Sequence, residues 1–417
     1  MVPNDNELAD RAERPSALMS ERRSDWIAFV PQLPAQLWLL AAAAFVNFLG
    51  YMVTPFLVLY LTEVANFSIE SAGVLLTCFG LGGIAGTWSG GRLSDRIGAP
   101  NVLVLSFLIS GGAMAVIPAI SSTLIIGGIL IVLAFANGAF RPAYDACVVG
   151  LCPEDERSRA YAVYVVAINI GAGIAASLGG YLYAGKPELI FYVDAATSLF
   201  AAGLVSVFLA RPLNTESKKA SKTEMVDGAA RAAHKSIAFL LVCLASCVLD
   251  VVAKQTSVTL PLYVTSAYGM TPEAFGHLLT LGYLVFAAAV LPVSSWVKQR
   301  NPIQMAVAGM AIVAAAFSLL PTGSGGSVLV GLYLLITFGQ LLFYPAIMSI
   351  VMGIAAKDGE RSGEYMGFYR TTQSVAGLAA PSIGTFIYAQ LFPSALWGFC
   401  TILILASALA LWRLKGI

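Results

Sequence analysis

Charge is what this chain has least of. Asp, Glu, Lys and Arg make up only 11% of its 417 residues, where a soluble chain carries about a quarter. With 58% hydrophobic residues and a mean hydropathy of +0.80, that deficit excludes a water-soluble globular protein. Histidine is scarcer still, with His234 and His277 the only two. No Ser/His/Asp set, no Gly-rich phosphate loop and no His/Cys cluster of metal-ligand spacing occurs, so no catalytic residue, cofactor or metal is expected. The six cysteines (Cys78, Cys147, Cys152, Cys243, Cys247 and Cys400) show no zinc-type spacing and imply no disulfide framework. A net charge of +1 gives no basis for a nucleic-acid partner.

What is present is apolar sequence in runs long enough to cross a bilayer. Twelve spans are predicted, at 35–62, 70–91, 101–120, 123–150, 160–184, 189–210, 237–264, 273–297, 302–321, 327–352, 363–390 and 393–414. The charged region before the first span lacks the form of a signal peptide. Within it, Met19 to Phe29 reads either as a surface-lying amphipathic piece or as a tail. Of the 24 Lys and Arg residues, 20 fall in the N-terminal tail, the loops after even-numbered spans, the central linker or the C-terminus. Lys186 falls on the opposite side, and Arg141, Lys254 and Arg370 fall inside spans. Both termini are therefore expected on the cytoplasmic side.

Residues 211–236 are polar and divide six spans from six. The organisation read from this is a tail (1–34), a first half (35–210), a linker (211–236) and a second half (237–417). Sliding the halves by 203 residues places Tyr60-Leu61-Thr62 on Tyr263-Val264-Thr265 and Glu70-Ser71-Ala72-Gly73 on Glu273-Ala274-Phe275-Gly276. The same shift places Phe140-Arg141-Pro142-Ala143 on Phe343-Tyr344-Pro345-Ala346. Thr271-Pro272-Glu273 reads as a helix start: a cap, a proline in the first turn and an acid.

Between spans 2 and 3 the apolar run stops at Arg92, Asp95 and Arg96, and a charged hairpin of about eight residues is expected there. The stretch Gly91-x-Leu93-Ser94-Asp95-Arg96-x-Gly98 resembles the signature between helices 2 and 3 of the major facilitator superfamily. Ala99 and Pro100 stand where that signature continues with two basic residues. Arg361-Ser362-Gly363-Glu364-Tyr365-Met366-Gly367-Phe368-Tyr369-Arg370 resembles the twelve-helix drug–proton antiporters, the multidrug-resistance exporters of enteric bacteria in particular. Span 5 carries Gly171, Gly173, Gly179 and Gly180, small residues that allow close helix packing. Of the antiporter motif on that helix only Gly179-Gly180 matches, with Ala175-Ala176 in place of Gly-Pro. Span 4 has Ala134 where the antiporter pattern has an arginine.

The resemblance runs from residue 35 to the end. It implies an all-α polytopic membrane protein of twelve transmembrane helices in two pseudo-symmetric six-helix halves, with a substrate site near the midplane between them. It also implies a protein of the bacterial inner membrane that handles a small molecule and protons; a monomer is expected because no span shows a clear dimer seam.

An ionisable residue inside a span is costly and marks a candidate site. Asp250 and Lys254 lie one turn apart in span 7, and the repeat maps them onto Asn47 and Tyr51 of span 1. Spans 1 and 7 line the cavity in the family that this chain resembles, so the two pairs are expected to face each other across it. Asp250 either exchanges a proton in competition with Lys254 or forms a permanent ion pair with it. Arg141 either meets substrate or pairs with Asp145 at the inner end. Family resemblance puts Asp95 beside the start of helix 11, so Gly91, Asp95, Arg96, Gly98, Asp145 and Arg370 form the expected cytoplasmic gate. Asp194, near the outer end of span 6, reads as a cap, and His277 as an interfacial residue. Aromatics along span 1, Phe48 and Tyr51 among them, read as packing or as the wall of a site for an amphiphile.

The function that follows is proton-coupled export of small amphiphilic molecules. An uptake symporter of the same fold is the alternative, and would be expected to carry more dedicated polar residues. A receptor or scaffold without transport has no need of Asp95 and midplane charges. The topology is checked by impermeant maleimide on intact cells, in a variant with its native cysteines replaced. Lys186→Cys should be labelled from outside, and Lys298→Cys only after the membrane is permeabilised.

Overall fold

The computed structural model describes residues 33–208, 237–323, 325–357 and 362–416. The segment Met19 to Phe29, the linker at 211–236 with His234, and Arg361 lie outside the described residues. Twelve long helices follow one another: α1 (Ala35–Val64), α2 (Ile69–Ile97), α3 (Ala99–Val116), α4 (Thr123–Leu151), α5 (Glu154–Gly185), α6 (Leu189–Phe208), α7 (Ile237–Val258, continued by Leu260–Tyr268), α8 (Pro272–Val297), α9 (Pro302–Leu319), α10 (Gly326–Lys357), α11 (Ser362–Gln390) and α12 (Pro393–Trp412). Among the described residues there is no strand, as a bilayer requires of a chain that satisfies its backbone within helices. Eleven of the twelve are long and apolar enough to cross a membrane. The exception is α11, whose turns carry Thr371, Thr372, Gln373 and Ser374.

Local chemistry sets the helix ends. Thr271 caps α8 by accepting from the Ala274 amide at 3.4 Å, as its sequence suggested. Asn301 caps α9 through the amides of Ile303 and Gln304 at 3.0 and 3.2 Å. The hairpin expected between spans 2 and 3 is not formed. Helix α2 continues through Arg92, Asp95 and Arg96 to Ile97, and Gly98 alone makes the turn at φ +88°. Once outside the hydrocarbon, polar side chains need not break a helix whose backbone bonds are already closed. At 29 residues, α2 spans about 43 Å, well beyond the roughly 30 Å of a bilayer core.

Contacts between the first six helices and the last six gather along two seams. On one, Thr77 of α2 shares a hydrogen bond with Ser382 of α11, and Gln390 donates to Glu70 at 3.0 Å. On the other, Thr280 of α8 donates to the Gly173 carbonyl of α5 at 2.6 Å, and His277 is hydrogen-bonded to Ser177 at 2.6 Å and Tyr181 at 3.1 Å. His277 is thus a strut between the halves rather than a lone interfacial residue. The seams are related by the 203-residue shift, which turns Glu70, Gly73 and Thr77 into Glu273, Gly276 and Thr280. Glycine is required on both: a Cβ on Gly73 would strike Thr385, and one on Gly276 would strike the Ala176 carbonyl.

Both seams lie towards the end of the bundle that holds the α5–α6 and α7–α8 connections. At the other end, the linker end, Asp95, Arg96 and Arg370 are exposed, and the described parts of α2 and α11 make no hydrogen bond to each other there. Among the described residues, the hydrogen bonds that join these helices across the halves therefore lie towards one end of the bundle. Thr77→Cys with Ser382→Cys, in a chain freed of its native cysteines and given a protease site in the linker, tests the α2–α11 seam. After oxidation in membranes and cleavage, the halves should migrate as one species until reductant is added.

Candidate functional site

Away from the seams, α7, α10 and α11 present a connected polar network. Asp250 of α7 accepts from the Tyr344 hydroxyl of α10 at 2.9 Å through Oδ1. Its Oδ2 is buried and makes no hydrogen bond to a described residue. One turn before it, Ser246 donates to the Tyr369 hydroxyl of α11 at 3.3 Å. Gln373 also donates to that hydroxyl, at 3.2 Å, and Arg370 donates to the Gln373 side-chain carbonyl at 3.1 Å. Lys254, one turn along α7, is exposed and acts on Asp250 through space, as does Arg370. Asp250 thus takes its hydrogen bond from Tyr344 and not from Lys254.

On the facing half, α4 carries Arg141 and Asp145. Arg141 is exposed, with its guanidinium carbon 5.9 Å from the Tyr164 ring centre of α5. The half-buried Asp145 has Arg141, the Tyr161 hydroxyl and Arg370 as its electrostatic neighbours. Arg370 is thus a cationic neighbour of two carboxylates, Asp145 on one half and Asp250 on the other. An arginine is always charged and acts electrostatically on both.

Asn47 and Tyr51 are not brought opposite Asp250 and Lys254. Asn47 donates to Ser198 of α6 at 3.2 Å. Tyr51 packs its ring 5.3 Å from that of Phe48 and neighbours Tyr283 of α8. Both line a cavity inside the first half, together with Ser110, Asn137, Asp194 and Ser198. The reading of Asp194 as a cap is corrected here. It is the sixth residue of α6, too deep to reach the first free amides, and it is buried in the bundle at 7% exposure.

The other expected sites take the following places. Asp95, Arg96 and Gly98 are exposed on the projecting end of α2, Gly91 has open space around it, and Arg92 stacks on Trp88 at 3.8 Å. Asp95 is not brought to Arg370, whose partner is Gln373. On α5, Cβ atoms on Gly171 and Gly179 would meet α1, at the Phe45 carbonyl (2.8 Å) and Met52 (2.7 Å). Those on Gly173 and Gly180 face α8, at Tyr283 (3.5 Å) and the Pro272 carbonyl (2.6 Å). Among the described residues no group of His, Cys, Asp and Glu is arranged to hold a metal ion. Tyr344, Tyr369 and Gln373 were not singled out from the sequence as site residues, and Asp194 was read only as a cap. The repeat held a signal for one of them, since Tyr344 occupies the position equivalent to Arg141.

Comparison with known proteins bears on this arrangement. Residues 39–381 match the Major Facilitator Superfamily. An uncharacterized MFS-type transporter of Bacillus subtilis, YttB, is 26% identical over 84% of this chain and 88% of its own length. The multidrug resistance protein MdtH of Proteus mirabilis is 24% identical over 72% of this chain and 73% of its own. Among solved structures, a POT family transporter in complex with 5-aminolevulinic acid superposes with a TM-score of 0.75. It shares 14% identity, over 92% of this chain and 96% of the other. Peptide transporter POT in complex with sulfate gives 0.74 at 18% identity, over 92% and 94% of the two chains; at such identities the likeness is one of fold. The chain therefore belongs to the major facilitator superfamily: it is an integral membrane protein with the twelve-helix fold of that family, a secondary transporter of small molecules.

Proposed function

We propose that this protein is a proton-coupled exporter of small amphiphilic molecules, working by alternating access. The halves at 35–210 and 237–417 rock about a midplane site, joined by the linker at 211–236. The observation that carries the reading is Asp250, an intramembrane carboxylate whose Oδ1 is held by Tyr344, with Gln373, Lys254 and Arg370 as its other polar neighbours. Charge inside a membrane is retained for a purpose. A proton arriving at Asp250 cancels its charge, and Lys254 and Arg370 then lose the anion they compensate. Arg370 is free at that point to turn to Asp145, and the change is felt across the boundary between the halves.

The placement of Lys and Arg supports a cytoplasmic linker end, so the end away from the seams faces the cytoplasm. Closing it brings Gly91, Asp95, Arg96 and Gly98 towards Arg370 of α11, with Asp145 of α4 as the other member of the gate. The projecting α2 and its exposed Asp95 support this use as a gate. The exposed Arg141 lies on the face of α4 that the opening reaches. Aromatic rings along α1 suit an amphiphile. The likeness to MdtH, a multidrug resistance protein, supports export, and bacterial relatives support the inner membrane of a bacterium. A monomer completes the reading. Uptake by symport is the second reading, favoured by the shared fold of the POT peptide transporters.

Inverted vesicles carrying the protein, energised to an acidic interior, test both. Cationic, neutral and anionic amphiphiles are added and collapse of the pH gradient is followed. Wild-type vesicles should respond to at least one class, and Asp250→Asn vesicles should not differ from vesicles without the protein. A response that survives Asp250→Asn removes Asp250 from the proton path; no response from the wild type removes export. Tyr344→Phe, at equal expression, should slow the exchange about tenfold, the worth of a hydrogen bond to a charged group.

A further inference from the structure

The cavity inside the first half is separate from the Asp250 network. It has a volume of about 230 Å³, and α1, α2, α3, α4 and α6 line it with no residue of the second half. The rings of Phe48, Tyr51, Phe79, Phe107 and Phe140 form its walls. Two of its polar pairs are already joined: Asn47 donates to Ser198 at 3.2 Å, and Ser110 to Asn137 at 3.0 Å. Asp194 is different. Ser198, one turn along, is its nearest hydrogen-bonding group, and no Lys, Arg or His lines the space. Tyr51 and Asp194 are the titratable groups that face it. α2 and α3 bring none, and the nearest charge on α4, Arg141, lies one turn beyond Asn137 beside Tyr164.

The repeat shows that this carboxylate is not demanded by the fold. The 203-residue shift carries Asp194 onto Trp397 of α12. That indole is fully buried, packed 5.2 Å from the Tyr263 ring and 5.6 Å from that of Phe317. One half fills the position with its largest side chain; the other keeps an acid in a cavity. Room for it is kept by Gly50, whose Cβ would lie 2.9 Å from Asp194 Oδ1. Asn137 is the one lining residue that stays exposed, and marks the mouth.

A single carboxylate ringed by aromatic faces, in a space larger than a bare ion needs, is suited to one kind of guest. Aromatic faces attract cations, and a buried acid supplies one compensating charge. We infer that this cavity is a subsite for a monovalent organic cation, an ammonium-bearing group held among the rings with Asp194 as its counter-ion. Its place in transport rests on the proposed export of amphiphiles, but binding needs no gradient and is measured at rest.

The full chain in lipid nanodiscs is titrated by calorimetry with choline and with its neutral isostere, 3,3-dimethylbutan-1-ol. Choline should bind once per chain. The alcohol should bind at least about 30-fold more weakly, as should choline to Asp194→Asn, in keeping with loss of one member of a buried charge pair. Asp194→Glu should recover part of the affinity. Equal binding of the alcohol, unchanged binding to Asp194→Asn, or no saturable choline binding to the wild type would overturn the inference. Should Asp194→Asn fail to fold, Asn137→Leu closes the mouth and leaves the acid in place; choline binding unaltered by it would overturn the inference equally. Failure here leaves the vesicle result at Asp250 untouched, and failure there leaves choline binding to be read on its own.

Discussion

Everything else in this molecule depends on two glycine-lined seams that join the halves at one end only. Close approach across these seams is permitted by glycines: Gly73 lies against Thr385, Gly80 against the Leu378 backbone, Gly180 against the Pro272 carbonyl and Gly276 against the Ala176 carbonyl. In lipid, water does not drive apolar surfaces together, so small residues that permit close packing and interhelical hydrogen bonds supply the association. Glu70 to Gln390, Thr77 to Ser382 and Thr280 to the Gly173 carbonyl supply those bonds here. The seams run along only part of α2, α5, α8 and α11. Away from them, Asp145, Arg370 and Asp250 come within electrostatic reach.

The two halves repeat each other in backbone and part company in chemistry. Asp250 with Tyr344 in the second half corresponds to Asn47 with Arg141 in the first. The acid is on one side and the always-charged base on the other, and Asn47 has turned away to Ser198. In the opposite sense, Asp194 in the first half corresponds to Trp397 in the second. Each half therefore holds one acid at a place where its partner holds none. The fold tolerates both contents at each position.

Much of this was legible from the residues. Hydropathy outlined twelve spans, because a bilayer admits only apolar segments of sufficient length. Thr271 announced a cap that the Ala274 amide fulfils. The 203-residue shift aligned Glu70 to Gly73 with Glu273 to Gly276, and the structure places the two segments on the two seams. Local reading went wrong where charge was taken for a break: Arg92, Asp95 and Arg96 continue α2, since a helix that leaves the hydrocarbon loses nothing by carrying charge. It went wrong again where depth stood in for direction. Asp194 is near a helix end, and the face of α6 that carries it points into the bundle.

The sequence by itself determined the class of protein, the number of spans, the internal repeat and the residues too charged to be there by accident. Each of these follows from one-dimensional quantities: transfer free energy, spacing and the scarcity of charge in hydrocarbon. Only the tertiary structure decided which of those residues meet. Asp250 goes to Tyr344 rather than Lys254, and Asn47 to Ser198 rather than across the centre. Arg370 hydrogen-bonds Gln373 and is an electrostatic neighbour of two acids 105 residues apart. Partnership is set by how helices rotate and tilt against their neighbours, and that is the outcome of packing over the whole bundle.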